Sequence, residues 1–447
     1  MSNKLVVLGG GESGVGAAIL GRSKGFDVFL SDRSPLKDNY RDELINRGIS
    51  FEEGSHNESK ILNADLVIKS PGIPDSVPLV AALRNKGIPV ISEIEFASRY
   101  TNAKLIAITG SNGKTTTTLL AFHLLSTAGL NVGLAGNIGE SFAWQVAEKQ
   151  FDYYVLEISS FQLDNIIDFR PDIAVLLNIT PDHLDRYNYT FQNYIDSKLS
   201  IIQNQTSADH FIYFDDSEVI LEELKKRGVK AEKWGISINH VLKEGAYLDN
   251  QQLVSTCKGL SFIQDYSELP IKGPHNAINA MAAILIAQLS NVDPAKIRAG
   301  LLSFTNAPHR LEQVAVIDEV TYVNDSKATN VDSVFYALGS FSQPVILIAG
   351  GVDKGNDYSQ IEQLVRDKVK ALIILSAKYE KLRDYFYDIV PQLYVTQDIQ
   401  DAVNKAEEWS TAGDVVLLSP ACASFDLFKN YEDRGDKFKT AVRNLVI

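Results

Sequence analysis

The residues best suited to chemistry lie in "ITGSNGKTTTT", where Gly110, Gly113, Lys114, Thr115 and Thr116 stand between an apolar run and a helical one. Backbone N–H groups and the Lys114 ammonium can cradle phosphates there, while a threonine hydroxyl reaches magnesium. Ile108 occupies the first glycine position of the strict G-x-x-x-x-G-K-T pattern, so this phosphate loop is a variant. Glu157 ends the apolar run "YYVLE", a place from which a carboxylate reaches the magnesium of a bound nucleotide. His183 follows another buried run, "IAVLLNIT", at what should be the carboxyl end of a strand.

Lys198 is the anomaly. With Thr190 as cap, a helical period puts Phe191, Tyr194, Ile195, Leu199, Ile201 and Ile202 on one face. Gln192, Asn193, Asp196, Ser197 and Ser200 take the other. Lys198 falls within the apolar face, where a charged amine is costly unless an anion meets it or it gives up its proton. A neutral amine facing a metal cluster can react with carbon dioxide and become a carbamate, an anionic oxygen ligand. The alternative is a lysine that snorkels or pairs with Asp182 or Glu157.

A second glycine cluster, "GGGESGVG", follows a strand-like run and opens a helix. Gly9, Gly11 and Gly14 fit G-x-G-x-x-G, and Asp32 closes the next strand as a ribose-binding acid would. The pattern suits a diphosphate or nucleotide, NAD being one candidate, and also suits a tight turn with no ligand. Ser70 and Gly72 of "KSPGIP" lie at a strand end where the same ligand could be touched.

These residues need strands and helices to hold them. "KLVVLG", "DVFLSD", "DLVIKS", "LIAITG", "YYVLEIS", "IAVLLNI", "VILIAGG", "ALIIL" and "DVVLLSP" alternate with helical stretches, many of them apolar enough to be buried on both faces. The expected class is α/β with largely parallel sheets. "AYLDNQQLVSTCKGLSF" alternates as a hairpin does and suggests an antiparallel edge or insertion. At 447 residues the chain is too long for one core. New starts near Lys4, between Glu93 and Lys104, and between Ala307 and Leu311 suggest domains at 1–93, 94–306 and 307–447. Two cysteines exclude a disulfide scaffold, and a formal charge of −13 argues against non-specific nucleic-acid binding. No signal peptide and no run of membrane-spanning length is visible, so a cytoplasmic protein without membrane contact is expected.

"TGSNGKTT", "GNIG", "EISSFQL", "DHLDRY", "HNAINA", "PHRLE", "NDSKATN", "GGVDKG" and "SPACASFD" together resemble the motifs of the Mur ligase family, in that family's order and along nearly the whole chain. "EISSFQL", "DHLDRY" and "NDSKATN" are similar to the branch that adds D-glutamate. The resemblance implies three domains: a Rossmann-like N-terminal domain, a central P-loop ATPase-type domain with a mostly parallel sheet, and a Rossmann-like C-terminal domain. It implies ATP-dependent addition of D-glutamate to UDP-N-acetylmuramoyl-L-alanine through an acyl phosphate, in peptidoglycan precursor synthesis, by a monomer.

The residue roles that follow are carried by that resemblance. Glu12, Ser13, Gly14, Asp32, Arg33, Ser70 and Gly72 would hold the uridine diphosphate, and Asn137 would contact the sugar substrate. Gly110, Asn112, Gly113, Lys114, Thr115 and Thr116 would bind ATP, with Asn276 and Asn279 near the adenine. Arg310, Asp325, Lys327, Thr329, Lys354, Ser424, Phe425 and Tyr431 would hold D-glutamate and close over ATP. Thr115, Glu157, His183 and carbamylated Lys198 would organise two Mg²⁺ ions, and Lys114, Glu157, His183, Lys198 and Lys327 would carry the catalysis. A folylpolyglutamate synthetase would share the phosphate loop and the lysine but take a pterin. A nucleotide-binding regulatory protein would not need Lys198. A dehydrogenase is disfavoured by the stronger phosphate loop in a separate segment.

Overall fold

The computed structural model describes residues 3–353 and 355–446. The chain folds as two compact units, Met1–Asp265 with Ile278–Phe304, and Tyr266–Ala277 with Thr305–Ile447. As the apolar runs require, it is α/β with three sheets, mostly parallel.

The first unit holds two sheets. One is built from Lys4–Leu8 (β1), Asp27–Asp32 (β2), Ser50–Glu53 (β3), Leu66–Lys69 (β4) and Val90–Ile91 (β5), in the order β3-β2-β1-β4-β5 with every pairing parallel. The direction of strand addition reverses between β1 and β4, and the turns after these strands carry Gly9 and Ser70. Such a switch point opens a crevice for a ligand at the carboxyl ends of the strands.

The second sheet comprises Lys104–Thr109 (β6), Val132–Gly136 (β7), Tyr153–Glu157 (β8), Ile173–Leu176 (β9), His210–Phe214 (β10), Glu232–Ser237 (β11), Gly245–Asp249 (β12), Gln252–Cys257 (β13) and Leu260–Asp265 (β14). Their order is β14-β13-β12-β11-β10-β9-β6-β8-β7. The hairpin-like stretch forms the antiparallel edge expected, with β12, β13 and β14 joined as a meander. β6 lies between β9 and β8, so the chain leaving all three reaches one rim of the sheet. Ile106, Ala107, Ile108, Val155, Leu156, Ala174 and Val175 in these strands are fully buried, as their apolar runs demand.

The second unit holds Glu312–Ile317 (β15), Val320–Asn324 (β16), Val345–Ala349 (β17), Val369–Leu375 (β18), Leu393–Thr396 (β19) and Val415–Leu418 (β20), in the order β15-β16-β20-β17-β18-β19. Only the β15–β16 pairing is antiparallel. The adjacent strands β16, β20 and β17 release "DSKAT", "SPACASF" and "GGVD" at one rim. Helix Pro274–Leu289 starts in this unit and continues in the other, so Asn276 belongs to the second and Asn279 to the first. Among the described residues no helix is long and apolar enough to cross a membrane.

Candidate active site

The phosphate loop joins β6 to helix Lys114–Thr127, and Gly113 caps that helix with a left-handed φ of 82°. Only glycine suits the position twice over, since a Cβ there would lie 2.5 Å from Asn279 Oδ1. Asn279 also accepts from Thr117 Oγ1 at 3.0 Å, which places it beneath the loop. Thr115 and Thr116 are buried at the first turn.

The loop's shape is fixed by residues that sequence reasoning passed over. The Asn178 side chain accepts from the Asn112 amide at 2.8 Å and donates to the Asn112 carbonyl at 3.1 Å. Ser111 Oγ donates to the Thr180 carbonyl and accepts from the Thr180 amide, both at 2.9 Å, and lies 3.1 Å from the Tyr194 hydroxyl. The polar "NIT" closing the apolar run of β9 was the available signal for Asn178 and Thr180. Tyr194 sits one helical turn before Lys198.

Lys198 is buried, 1% exposed, on helix Phe191–Leu199. Its Nζ donates to the Gly110 carbonyl at 2.8 Å and lies 4.6 Å from the centre of the Tyr194 ring. The pairing alternative is thus corrected: the amine meets a loop carbonyl rather than the carboxylate of Asp182 or Glu157. Burial, reinforced by the positive charge of Lys114, holds its pKa well below that of an ordinary lysine, and Asp182 and Asp164 only partly oppose this. Two further expectations about the helix change. Thr190 is the cap residue but its side chain makes no capping bond, its hydroxyl turning to the Asn188 carbonyl instead. Ser197, placed on the polar face, is buried because Asp164 lies there to accept its hydroxyl at 2.6 Å.

Glu157 ends β8, one strand over from the loop, and is 1% exposed. Its Oε1 accepts from Asn137 Nδ2 at 2.7 Å, whereas its Oε2 is buried without a hydrogen-bond partner. Lys114 Nζ folds back on the carbonyls of Gly110 and Ser111 at 2.7 and 2.8 Å. His183 is half-exposed with a left-handed φ of 52°, its ring 5.1 Å from that of Phe161 and its Nε2 3.6 Å from Asp182. Among the described residues no three His, Cys, Asp or Glu side chains gather as a metal site. Any divalent ion here would therefore need oxygens from other sources, and the orphaned Glu157 Oε2 fits one as a ligand.

At the first sheet's switch point, Asp32 Oδ2 accepts from the Gly10 amide at 2.5 Å and its Oδ1 from the Ser34 amide at 2.7 Å. The carboxylate therefore shapes the glycine turn itself. A Cβ on Gly14 would collide with the Gly9 carbonyl, which explains a glycine there. Gly10, Gly11, Glu12, Asp32, Leu36 and Tyr40 line an open cleft of about 340 Å³. Ser13 is half-buried and Arg33 exposed. Gly72 lies beyond Ser70, and its carbonyl accepts from Arg186 at 3.4 Å.

In the second unit Asp325 is buried, accepting from Ser419 Oγ at 2.9 Å and from the Leu311 amide at 3.2 Å. Burial pushes its carboxyl up to about 7 against those two bonds and the charges of Arg310 and Arg434. Lys327 Nζ lies 3.6 Å from the centre of the Tyr431 ring. Thr329 and Phe425 are exposed while Ser424 is buried. Asn276 is buried and donates to the Lys272 carbonyl. Lys354 lies outside the described residues. Arg434, unsuspected from sequence, is buried and donates to Ser326 Oγ at 2.9 Å, the Ser326 carbonyl at 2.8 Å, the Cys422 carbonyl at 3.2 Å and the Gly350 carbonyl at 3.3 Å. One guanidinium thus ties together the three strand-end loops that carry the expected amino-acid residues.

The MurD-like N-terminal domain of Mur ligases matches residues 3–92, the Mur ligase middle domain residues 108–287, and the Mur ligase glutamate ligase domain residues 309–422. UDP-N-acetylmuramoylalanine–D-glutamate ligase of Bacteroides fragilis is 53% identical over 99% of this chain and all of its own. This chain belongs to the Mur ligase family. The enzyme of the same name from Christiangramia forsetii is 52% identical over the whole of both chains, and that of Salinibacter ruber 40% identical over 99% and 98%. Solved Mur ligase structures share the three-domain fold. UDP-N-acetylmuramate–alanine ligase from Thermotoga maritima superposes with a TM-score of 0.60 over 99% of both chains at 18% identity. A pseudomurein peptide ligase from Methanothermus fervidus gives 0.64 over 99% and 100% at 20% identity.

Proposed function

We propose that this Mur ligase couples ATP cleavage to formation of an amide bond between the carboxyl of UDP-N-acetylmuramoyl-L-alanine and the amine of D-glutamate, in the cytoplasm and as a monomer. The observation that carries the reading is the buried Lys198 amine drawn to the phosphate loop's Gly110 carbonyl, one strand over from an acid with an unsatisfied oxygen. A plain nucleotide-binding module has no use for that pair, and the full-length likeness to D-glutamate ligases supplies the substrates.

A carboxylate resists amines because oxide is a poor leaving group. Phosphorylation by ATP gives an acyl phosphate, from which phosphate departs when the amine attacks. In this reading Gly110–Thr116 wrap the triphosphate, with Lys114 released from its own loop carbonyls to meet phosphate oxygens. Asn276 and Asn279 flank the adenine. Thr115, Glu157, His183 and a carbamate on Lys198 would hold two Mg²⁺ ions, which when bound neutralise the charge that gathers during phosphoryl transfer. The N–H groups opening helix Glu12–Ser23, whose cap Gly11 offers no side-chain bond, receive the uridine diphosphate with Ser13, Gly14, Asp32, Arg33, Ser70 and Gly72, and Asn137 meets the sugar. Lys327 and Lys354 suit the two carboxylates of glutamate, Thr329, Ser424, Phe425 and Tyr431 shape its pocket, and Arg310 and Asp325 address ATP. Domains at 1–93, 94–306 and 307–447 divide these tasks.

Phosphate release tests the reading. Turnover should require ATP, the uridine nucleotide and D-glutamate together; equal rates with diaminopimelate or L-lysine would refute it.

A further inference from the structure

We propose that Glu93 is a positioning residue: it locks the turn that carries Asn137, and so holds Asn137 against Glu157, at the point where helix Glu12–Ser23 also grips that turn. This rests on the ligase reading only in taking Glu157 as a functional acid.

Glu93 opens helix Glu93–Ser98 and is buried, 3% exposed. Its Oε1 accepts from Ser141 Oγ at 2.8 Å and from the Ala143 amide at 2.6 Å. The Ser141 amide in turn donates to Glu12 Oε1 at 3.1 Å. Gly16, one turn further along the same helix, packs so closely that a Cβ there would collide with Ser141 Oγ. Ser141 is therefore held from two sides, by Glu93 and by helix Glu12–Ser23. At the other end of the turn, the Asn137 amide donates to the Glu157 carbonyl at 2.8 Å and its side chain to Glu157 Oε1 at 2.7 Å.

Only Ile138, Gly139 and Glu140 separate the two anchors. Gly139 takes a left-handed φ of 76°, and a Cβ on it would lie 2.6 Å from the Leu134 carbonyl, so the turn has little slack. A displacement at Ser141 must be passed on to Asn137. Packing alone gives no reason for an acid here: burial lifts the Glu93 carboxyl to about 7, the Ala143 and Ser141 bonds opposing and the Glu12 charge adding. A buried polar group retained at such cost is expected where it fixes geometry.

Amide hydrogen exchange of the ligand-free full-length chain, with steady-state kinetics, decides the matter. In Glu93→Ala, exchange should quicken about tenfold at Ala143 and also at Asn137, whereas Glu93→Gln, which keeps an acceptor, should stay within about threefold. kcat of Glu93→Ala should fall about tenfold with KM for ATP unchanged. In an Asn137→Ala background the same substitution should cost less than about twofold, because its effect runs through Asn137. Faster exchange confined to Ala143, or losses that add, would overturn the proposal. Ser141→Ala, a milder lesion, should quicken Asn137 exchange if Glu93→Ala does not fold, and an unchanged Asn137 would equally overturn it. A wild-type chain without turnover would sink the ligase reading while leaving the exchange result to judge Glu93.

Discussion

Lys114 and Lys198 donate to one and the same oxygen, the Gly110 carbonyl, at 2.7 and 2.8 Å. Two ammonium groups on one carbonyl repel each other, and the buried one yields its proton more readily. A neutral amine is the form that adds carbon dioxide, and a carbamate there would turn the loop's second cation into an anion facing Lys114.

Lys198→Ala should lower kcat by about 100-fold or more, and acetate or another small acid should restore part of it by occupying the space of the carbamate oxygens. Lys198→Met should be as inactive yet at least as stable in thermal melts, since it removes a desolvated amine and keeps the apolar stem. The structure excludes the snorkelling alternative, since the amine is buried on the Gly110 carbonyl; a lysine that only braces that carbonyl would give variants whose turnover no added acid restores.

Glu157→Gln should cut turnover by about 100-fold and raise the magnesium concentration needed for half-maximal rate, because the oxygen without a hydrogen-bond partner becomes part of an uncharged amide. Titrating phosphate release against Mg²⁺ checks this. An unchanged magnesium requirement would remove Glu157 from the metal's surroundings.

Gly113→Ala should destabilise the first unit by about 1–3 kcal/mol and weaken nucleotide binding, since it combines a left-handed φ with a contact on Asn279. Urea unfolding and ADP titration measure the two effects, and Gly129→Ala is the control. That glycine also has positive φ, at 90°, but open space beyond its Cα, so strain alone acts there.

The pH dependence of stability has a definite sign. Glu93 and Asp325 both have carboxyls lifted to about 7 by burial, so the folded chain holds protons that the unfolded chain releases near 4. Their contribution is full below the unfolded values and is lost as pH rises through about 7, at most on the order of 1.4 kcal/mol per pH unit for each group. Burial lowers the pKa of His210, His275 and His309, which slopes stability the other way up to about pH 6.5, so the difference from wild type is the readout. Glu93→Gln and Asp325→Asn should each make the slope of melting temperature against pH between about 5 and 7 more positive than that of the wild type, and variants that keep the wild-type slope would contradict the assignment.

The strands around both glycine loops, β1, β4, β6, β8 and β9, and β17 and β20 of the second unit were legible because they are buried on both faces and read as apolar runs. Short or half-exposed strands such as β3 and β19 carry no such run. Lys198 stood out because a charge on an apolar face is a local contradiction. Its true partner did not, since Gly110 lies 88 positions away and offers only a backbone oxygen. Asn178 and Arg434 escaped for the same reason: each acts on backbone groups of loops distant in sequence, which residue type and spacing do not encode.

The central claim is tested most directly by mass spectrometry of the uridine nucleotide after incubation with ATP, Mg²⁺ and either enantiomer of glutamate. The account predicts that UDP-N-acetylmuramoyl-L-alanine gains one glutamate residue with the D enantiomer, with ADP and phosphate formed in equal amounts, and gains nothing with the L enantiomer. An unchanged nucleotide with D-glutamate, or equal conversion with both enantiomers, would contradict it.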